Sequence, residues 1–354
     1  MIFYTHERNF GCRLMEYLYK GLRVVSLENE LLRVSILADK GSDIFEFLYK
    51  PQDVDFMWRS PWGIRNPATF VPTSHHGGSA FLDFYEGGWQ DCMPTGGNPC
   101  EYLSLPFGAH GETPTIPWEY RILENSPECV SVRFWVRTYR TPFYIEKDIS
   151  LERGKGALHF HERIVNEGRI KIDLMWGQHP ALGAPFLDTS CRIDLPAAKI
   201  HCRGLSPNSR FAVGIYDWPL ATGKDGKPID LRWVAGVEAD TTETIFLTEL
   251  PEGWYAVTNT RQKVGFGMAW PTSIFRALWF WQVYGGAYGL PWCGRTYNIA
   301  LEPFSTSQTN ILDAAREGSA HTLEAGESIE ANFVAVAYAG VDQVRRITLA
   351  GEVE

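Results

Sequence analysis

The 354-residue chain contains no apolar run near the length of a membrane span. Its first residues, Met1-Ile2-Phe3-Tyr4-Thr5-His6-Glu7-Arg8, lack the apolar core of a secretory signal. A cytoplasmic protein with no membrane partner is the expectation. No block of five or six like charges occurs, and the net charge is −9, a field that repels polyanions and argues against a nucleic-acid partner. There is no Cys-x-x-Cys pair. The cysteines (Cys12, Cys92, Cys100, Cys129, Cys191, Cys202 and Cys293) are odd in number, as suits free thiols in a reducing compartment rather than a disulfide framework. The chain also lacks a Gly-x-Ser-x-Gly elbow, a phosphate loop and a dinucleotide fingerprint, which disfavours a nucleophilic hydrolase or a nicotinamide enzyme. His75 and His76, with His110 and Glu112, are ligand types for a divalent ion, but in no recognised metal spacing. No metal and no cofactor are expected.

Amphipathic helices are scarce too, the best being a turn or two over residues 311–317. What is present instead is alternation of period two. Val130, Val132, Phe134 and Val136 share one face, with Ser131, Arg133 and Arg137 on the other. Further strands are expected over residues 31–37, 158–165, 231–237, 244–250, 254–258, 277–283 and 331–338, with turns at Asn166-Glu167-Gly168, Asp225-Gly226-Lys227-Pro228 and Pro251-Glu252-Gly253. Many short strands joined by loops, in a chain that is 45% hydrophobic and 21% charged, indicate an all-β antiparallel sandwich with a sizeable core. No linker or repeat interrupts it, so one domain over residues 1–354 is expected. Residues 51–117 are dense in Gly, Pro, Trp and His and poor in strand pattern. A long irregular stretch in a compact domain is usually functional, and this one reads as the floor and rim of a cleft.

Three polar islands stand in apolar or Gly-rich surroundings: Gly108-Ala109-His110-Gly111-Glu112, Gly177-Gln178-His179-Pro180 and Leu301-Glu302-Pro303. A histidine and a carboxylate on separate strands can act as acid and base on one small molecule. His179 is expected at the end of an apolar strand over residues 172–176. Glu302 follows an apolar stretch, where burial raises a carboxyl pKa; half of an ion pair with Arg65 or Arg295 is the plainer reading. Thirteen tryptophans is a high count, and Trp58, Trp62, Trp89 and Trp292 sit in irregular segments. An indole packs on the C–H face of a pyranose and offers an N–H to a hydroxyl, although filling the core is the simpler role. Trp89, followed by Gln90 in Glu86-Gly87-Gly88-Trp89-Gln90, has polar and glycine neighbours that suit a cleft. His159 and His161 share one strand face and read as polar surface.

Taken together the islands resemble the galactose mutarotase-like superfamily (aldose 1-epimerases and relatives), and more closely a poorly characterised bacterial branch of it. The resemblance runs over nearly the whole chain. It rests on the Asn-Glu-Gly turn ending at Gly168, the Gln178-His179-Pro180 island, the aromatic strand Ala277-Leu278-Trp279-Phe280-Trp281 leading to Leu301-Glu302-Pro303, and the closing Ala325-Gly326-Glu327-Ser328. It implies a large antiparallel β-supersandwich, a carbohydrate as the small-molecule partner and no cofactor. In that family's terms His179 corresponds to the general acid, Glu302 to the general base, His110 to a substrate-binding histidine and Arg65 to a sugar-binding arginine. Glu112, Trp89, Gln90 and Trp292 join them as expected substrate contacts. The match departs after His179, where Pro180-Ala181-Leu182-Gly183 replaces an aromatic-Asn-Leu run. The implied activity is interconversion of sugar anomers. Another sugar isomerase, a lyase or glycoside-active enzyme on the same scaffold, or a non-catalytic carbohydrate-binding protein, are the alternatives.

Overall fold

Period-two patterning produces two large antiparallel sheets in the computed structural model, which describes residues 11–69 and 79–354. His75 and His76 lie outside the described residues. The first sheet has twelve strands among the described residues. From one edge these are Arg13–Tyr19, Leu22–Glu28, Leu32–Leu37, Asp43–Tyr49, Trp89–Cys92, Gly177–Leu182, Tyr297–Phe304, Ala277–Tyr284, Thr241–Thr248, Lys199–Cys202 and Gly214–Asp217, with Val54–Asp55 paired beside Asp43–Tyr49. The second sheet runs Cys191–Asp194, Gly253–Asn259, Val264–Trp270, Ser328–Ala339, Ala157–Asn166, Phe143–Glu152, Cys129–Arg137, Glu119–Asn125.

The sheets meet through one continuous apolar layer to which both contribute. Phe47 of the first sheet meets Phe266 of the second edge-on at 5.2 Å, and Phe160 stacks on Phe333 at 4.7 Å within the second. On Cys129–Arg137 the buried residues are Val130, Val132, Phe134 and Val136, as the alternation requires. His159 and His161 face outward beside buried Phe160 and Glu162. The outer face of the second sheet is partly covered by the last residues of the chain, which place Val344 and Ile347 against Trp254 and Val336.

The expected all-β antiparallel sandwich is what forms, and the helix Ile311–Glu317 falls where the sequence put it. Asn310 caps its first turn by accepting from the Asp313 N–H, and Gly318, with φ 69°, ends it. Two expectations fail. Residues 231–237 make only one bridge, Trp233 with Arg192, because Trp233 and Val237 have no second apolar layer to cover them and remain exposed. Trp89 does not face a cleft. It stands between the sheets, 5.0 Å from the ring of Phe160, with its Nε1–H donated to Gln178 Oε1 at 2.7 Å. The glycines before it give the chain a sharp entry into the strand, and period two then sends Trp89 inward.

Because Trp89 fills the inter-sheet layer, Trp89→Ala is expected to lower the free energy of unfolding by about 3–5 kcal/mol, measured by chemical denaturation followed by circular dichroism. A loss under 1 kcal/mol would contradict the packing described.

Candidate active site

The site is written in strand register. Gly177 pairs with Phe304 and Ala181 with Ala300, so the same antiparallel register sets His179 opposite Glu302 on one face of two adjacent strands. On one side His179 pairs with Gln90, and on the other Glu302 pairs with Trp279. Gln90, His179, Glu302 and Trp279 therefore form one row across four strands, on the face turned away from the inter-sheet core. The next row on that face, Ala181, Ala300, Trp281 and Thr244, is small at its first two positions, which leaves space for the rings of Trp58, Tyr85 and Trp292 above it. Gly177 is needed beside this row, since a Cβ there would come within 2.1 Å of the Phe304 ring.

His179 Nε2 lies 3.5 Å from Glu302 Oε1, and both side chains are at most 5% exposed. The second carboxylate oxygen, Oε2, is buried without a partner among the described residues. On the other edge of the imidazole, Nδ1 is 3.4 Å from the Tyr85 hydroxyl. Burial drives the pair's pKa values in opposite directions. Loss of water lowers that of His179 to about 4 and holds the Glu302 carboxyl well above its ordinary value, because each charged form is deprived of solvation. The pair thus holds one proton between two sites and no net charge. A separation of 3.5 Å leaves the two groups within reach of one small molecule without a tight bond to each other.

A second imidazole stands edge-on to the first. His110 and His179 have ring centroids 4.8 Å apart, and Phe81 packs at 4.2 Å on His110. His110 has a left-handed backbone (φ 60°) and is followed by Gly111 (φ 79°), where a Cβ would strike the Met93 carbonyl oxygen at 1.9 Å. The Gly-Ala-His-Gly sequence is therefore a tight turn that sets the imidazole into the cavity wall. Burial and the neighbouring His179 keep its pKa well below normal, so it is neutral.

These groups line a cavity of about 440 Å³ whose walls include Phe81, Tyr85, Asn98, Trp279, Trp281 and Trp292, within the size range of small-molecule sites. The irregular stretch over residues 51–117 supplies Phe81, Leu82, Tyr85, Gly97, Asn98 and His110 to it. Of the residues singled out from sequence, His110, His179, Trp292 and Glu302 come together there. The others are placed elsewhere. His179 itself is the third residue of Gly177–Leu182, within a strand and not at the end of one. Gln90 lies on the same face but is fully covered, donating to the Gly87 carbonyl at 2.6 Å and to Asp43 at 3.3 Å. Arg65 donates to the Asp83 carbonyl at 2.8 Å, at the end of helix Ser79–Phe84. Glu112 accepts from the N–H groups of Tyr139 and Arg140 and from the Thr141 hydroxyl, which ties two loops together and uses both its oxygens. Trp89 is in the core.

Tyr85 and Phe81 were not singled out, and Trp279 and Trp281 entered only as part of the aromatic strand, not as cavity residues. The tryptophans were legible: in Ala277–Tyr284 they alternate with Leu278 and Phe280, which occupy the core, so the opposite face of that strand had to present two indoles. Tyr85 carried no comparable signal.

Behind His179 lies a buried polar layer. Gln178 points the opposite way, donating to Asp91 at 2.6 Å and to Glu162 at 3.2 Å, while Glu162 also accepts from Trp176 Nε1 at 3.0 Å. Asp91 is ion-paired with buried Lys147. Desolvation, together with the charge of Asp91, raises the Glu162 pKa well above normal. The second buried ion pair, Lys40 with Glu86 at 2.7 Å and with Asp43, anchors the chain next to Tyr85.

Among the described residues no three His, Cys, Asp or Glu side chains group as a metal site, and no helix is long and apolar enough to cross a membrane. All seven cysteines are free thiols.

Comparison with known proteins gives the fold a name. A search of curated proteins finds no match. Among solved structures, a "putative aldose 1-epimerase" of Klebsiella pneumoniae aligns with a TM-score of 0.71 at 14% identity, over 92% of this chain and 87% of that one. Slr1438 protein from Synechocystis aligns with a TM-score of 0.63 at 15% identity, covering 93% and 97%. A galactose mutarotase related enzyme from Lactobacillus acidophilus gives 0.59 at 14%, covering 94% and 100%. At such identities the likeness is one of fold. A family model, "Domain of unknown function (DUF4432)", matches residues 19–335. The chain belongs to the DUF4432 family and carries the galactose mutarotase-like fold.

Proposed function

We propose that this protein is an aldose 1-epimerase-like enzyme that interconverts the anomers of a small sugar by acid–base catalysis with His179 and Glu302. The observation that carries this reading is the buried imidazole–carboxylate pair, 3.5 Å apart at the floor of an indole-lined cavity. Apolar faces of a pyranose pack on Trp281 and Trp292, and Asn98, Ser206, Thr244 and Thr309 in the walls offer hydrogen bonds to its hydroxyls.

Ring opening requires one proton off and one proton on. The Glu302 carboxylate takes the proton of the anomeric hydroxyl, the O–H electrons form the C1=O bond, and the C1–ring-oxygen bond breaks. The ring oxygen receives its proton from His179 Nε2. Rotation about C1–C2 presents the other face of the aldehyde, and the reverse transfers close the opposite anomer. The pair starts as imidazolium and carboxylate, passes through imidazole and carboxylic acid while the chain is open, and returns. Its total of one proton never changes, which matches a pair that burial keeps free of net charge. Glycoside cleavage ordinarily needs two carboxyl groups flanking the bond. Among the described residues Glu302 is the only one in the cavity wall.

Each positioned group is worth on the order of 10²–10⁴-fold, so His179→Asn and Glu302→Gln should each slow anomer exchange, followed by polarimetry on a panel of free sugars, by at least about a hundredfold. Retention of near-normal rates in either variant removes that residue from the chemistry. Binding without any acceleration of exchange by the unmodified protein would favour a carbohydrate-binding role.

The pH profile follows from the two shifts. Below about pH 4 His179 and Glu302 are both protonated and no base remains. Above the raised Glu302 value the single proton is lost and no acid remains. A plot of kcat/KM should therefore be flat between these limits and fall on both sides. A rate that rises through pH 6.5 as an ordinary histidine titrates would contradict the assignment.

Methyl glycosides, which have no anomeric hydroxyl to deprotonate, should emerge unchanged. Conversion monitored by NMR would point instead to glycoside chemistry.

A further inference from the structure

Each imidazole of the cavity is backed by a neutral hydroxyl or thiol where a carboxylate would be the commoner partner. His179 faces Glu302 through Nε2 and the Tyr85 hydroxyl through Nδ1, and His110 Nδ1 lies 3.4 Å from the Cys92 thiol. From this arrangement we infer that Tyr85 is a positioning residue, whose hydroxyl oxygen accepts from His179 Nδ1 and so keeps Nε2 turned toward Glu302 and the substrate. The inference rests on the acid–base reading above.

The tautomer follows from the partners. Around His179 the titratable groups are Glu302 on one edge, Tyr85 on the other and His110 edge-on; Phe81 and Trp281 close the remaining sides with apolar rings. The raised Glu302 carboxyl keeps its proton and offers its O–H to the Nε2 lone pair. The neutral ring then carries its hydrogen on Nδ1, and the Tyr85 oxygen accepts it. Burial holds the Tyr85 pKa well above its ordinary value, so the phenol keeps its proton.

A hydroxyl has a property here that a carboxylate or a backbone N–H lacks. A carboxylate behind an imidazole stabilises its cation, and an N–H stabilises its neutral form. A phenol oxygen accepts from Nδ1–H in both states and adds no charge that would fix the cation. A histidine that becomes cationic and neutral within each turnover needs its two states close in energy. Tyr85 thus holds the ring in both states without a net charge of its own. Its ring is fixed independently by stacking on Phe81 at 4.8 Å and tilted contact with Trp58 at 5.6 Å, and the next residue, Glu86, is tied to buried Lys40.

The test is Tyr85→Phe, which deletes one oxygen and retains those ring contacts. In protein labelled with ¹⁵N-histidine, and with His179 assigned by comparison with His179→Asn, the unmodified protein should show His179 as a single tautomer with hydrogen on Nδ1. Tyr85→Phe should give mixed or exchange-broadened His179 signals. Its kcat should fall about tenfold, the loss of one net hydrogen bond, with KM changed less than about threefold. A His179 hydrogen found on Nε2 in the unmodified protein overturns the inference, and so does a variant with unaltered spectrum and kcat. A drop in kcat with an unaltered spectrum also overturns it, because Tyr85 would then act on the substrate directly. The spectrum needs no turnover. The expected tautomer in a protein that accelerates no anomer exchange would leave the positioning intact and remove the proposed reaction.

Discussion

The arrangement depends on one constraint: a proton shared by two groups that burial forbids from carrying net charge. His179 and Glu302 sit opposite each other on neighbouring antiparallel strands, each almost fully covered. Water would stabilise either charged form, and it is displaced by Phe81, Tyr85 and Trp281. What remains is a choice of where one proton resides. The proposed sugar ring opening would make the same choice twice in opposite directions, so the electrostatics of the pair match what that proposal requires.

Such a site requires a rigid support, and the strand pairing supplies it. Because side chains alternate, Gln178 and His179 point to opposite faces of the sheet. Gln178 is locked between Trp89, Asp91 and Glu162 in the interior, which fixes the strand carrying His179. Removing one member of such a network leaves buried polar groups unpaired, so the layer is costly to disturb. Glu112 does similar work at the rim, clamping residues 139–141 beneath the His110 turn. The polar islands of the sequence therefore divide into one set that faces the cavity and another that holds it in place. The similarity to solved mutarotase-like structures reaches the scaffold, whereas the Glu86-Gly87-Gly88-Trp89-Gln90 segment serves here to anchor the wall that ends in Tyr85.

The sequence by itself determined the class of fold, the direction of most strands' faces and the presence of an imidazole and a carboxylate suited to acid–base work. Period-two alternation depends only on local backbone geometry, and the resemblance added which His and Glu to single out. It did not determine which polar residues serve the cavity. Trp89, Arg65 and Glu112 looked like ligand contacts because glycines and charges surround them, yet one fills the core, one holds the Asp83 carbonyl and one ties loops together. Those roles depend on partners far away in the chain. Tyr85 had no local signal for the same reason: its importance comes from a single atom placed 3.4 Å from His179 by a helix end and a buried ion pair. Register between distant strands, and the loss of water it brings, is a property of the assembled sheet, and only the tertiary structure decided it.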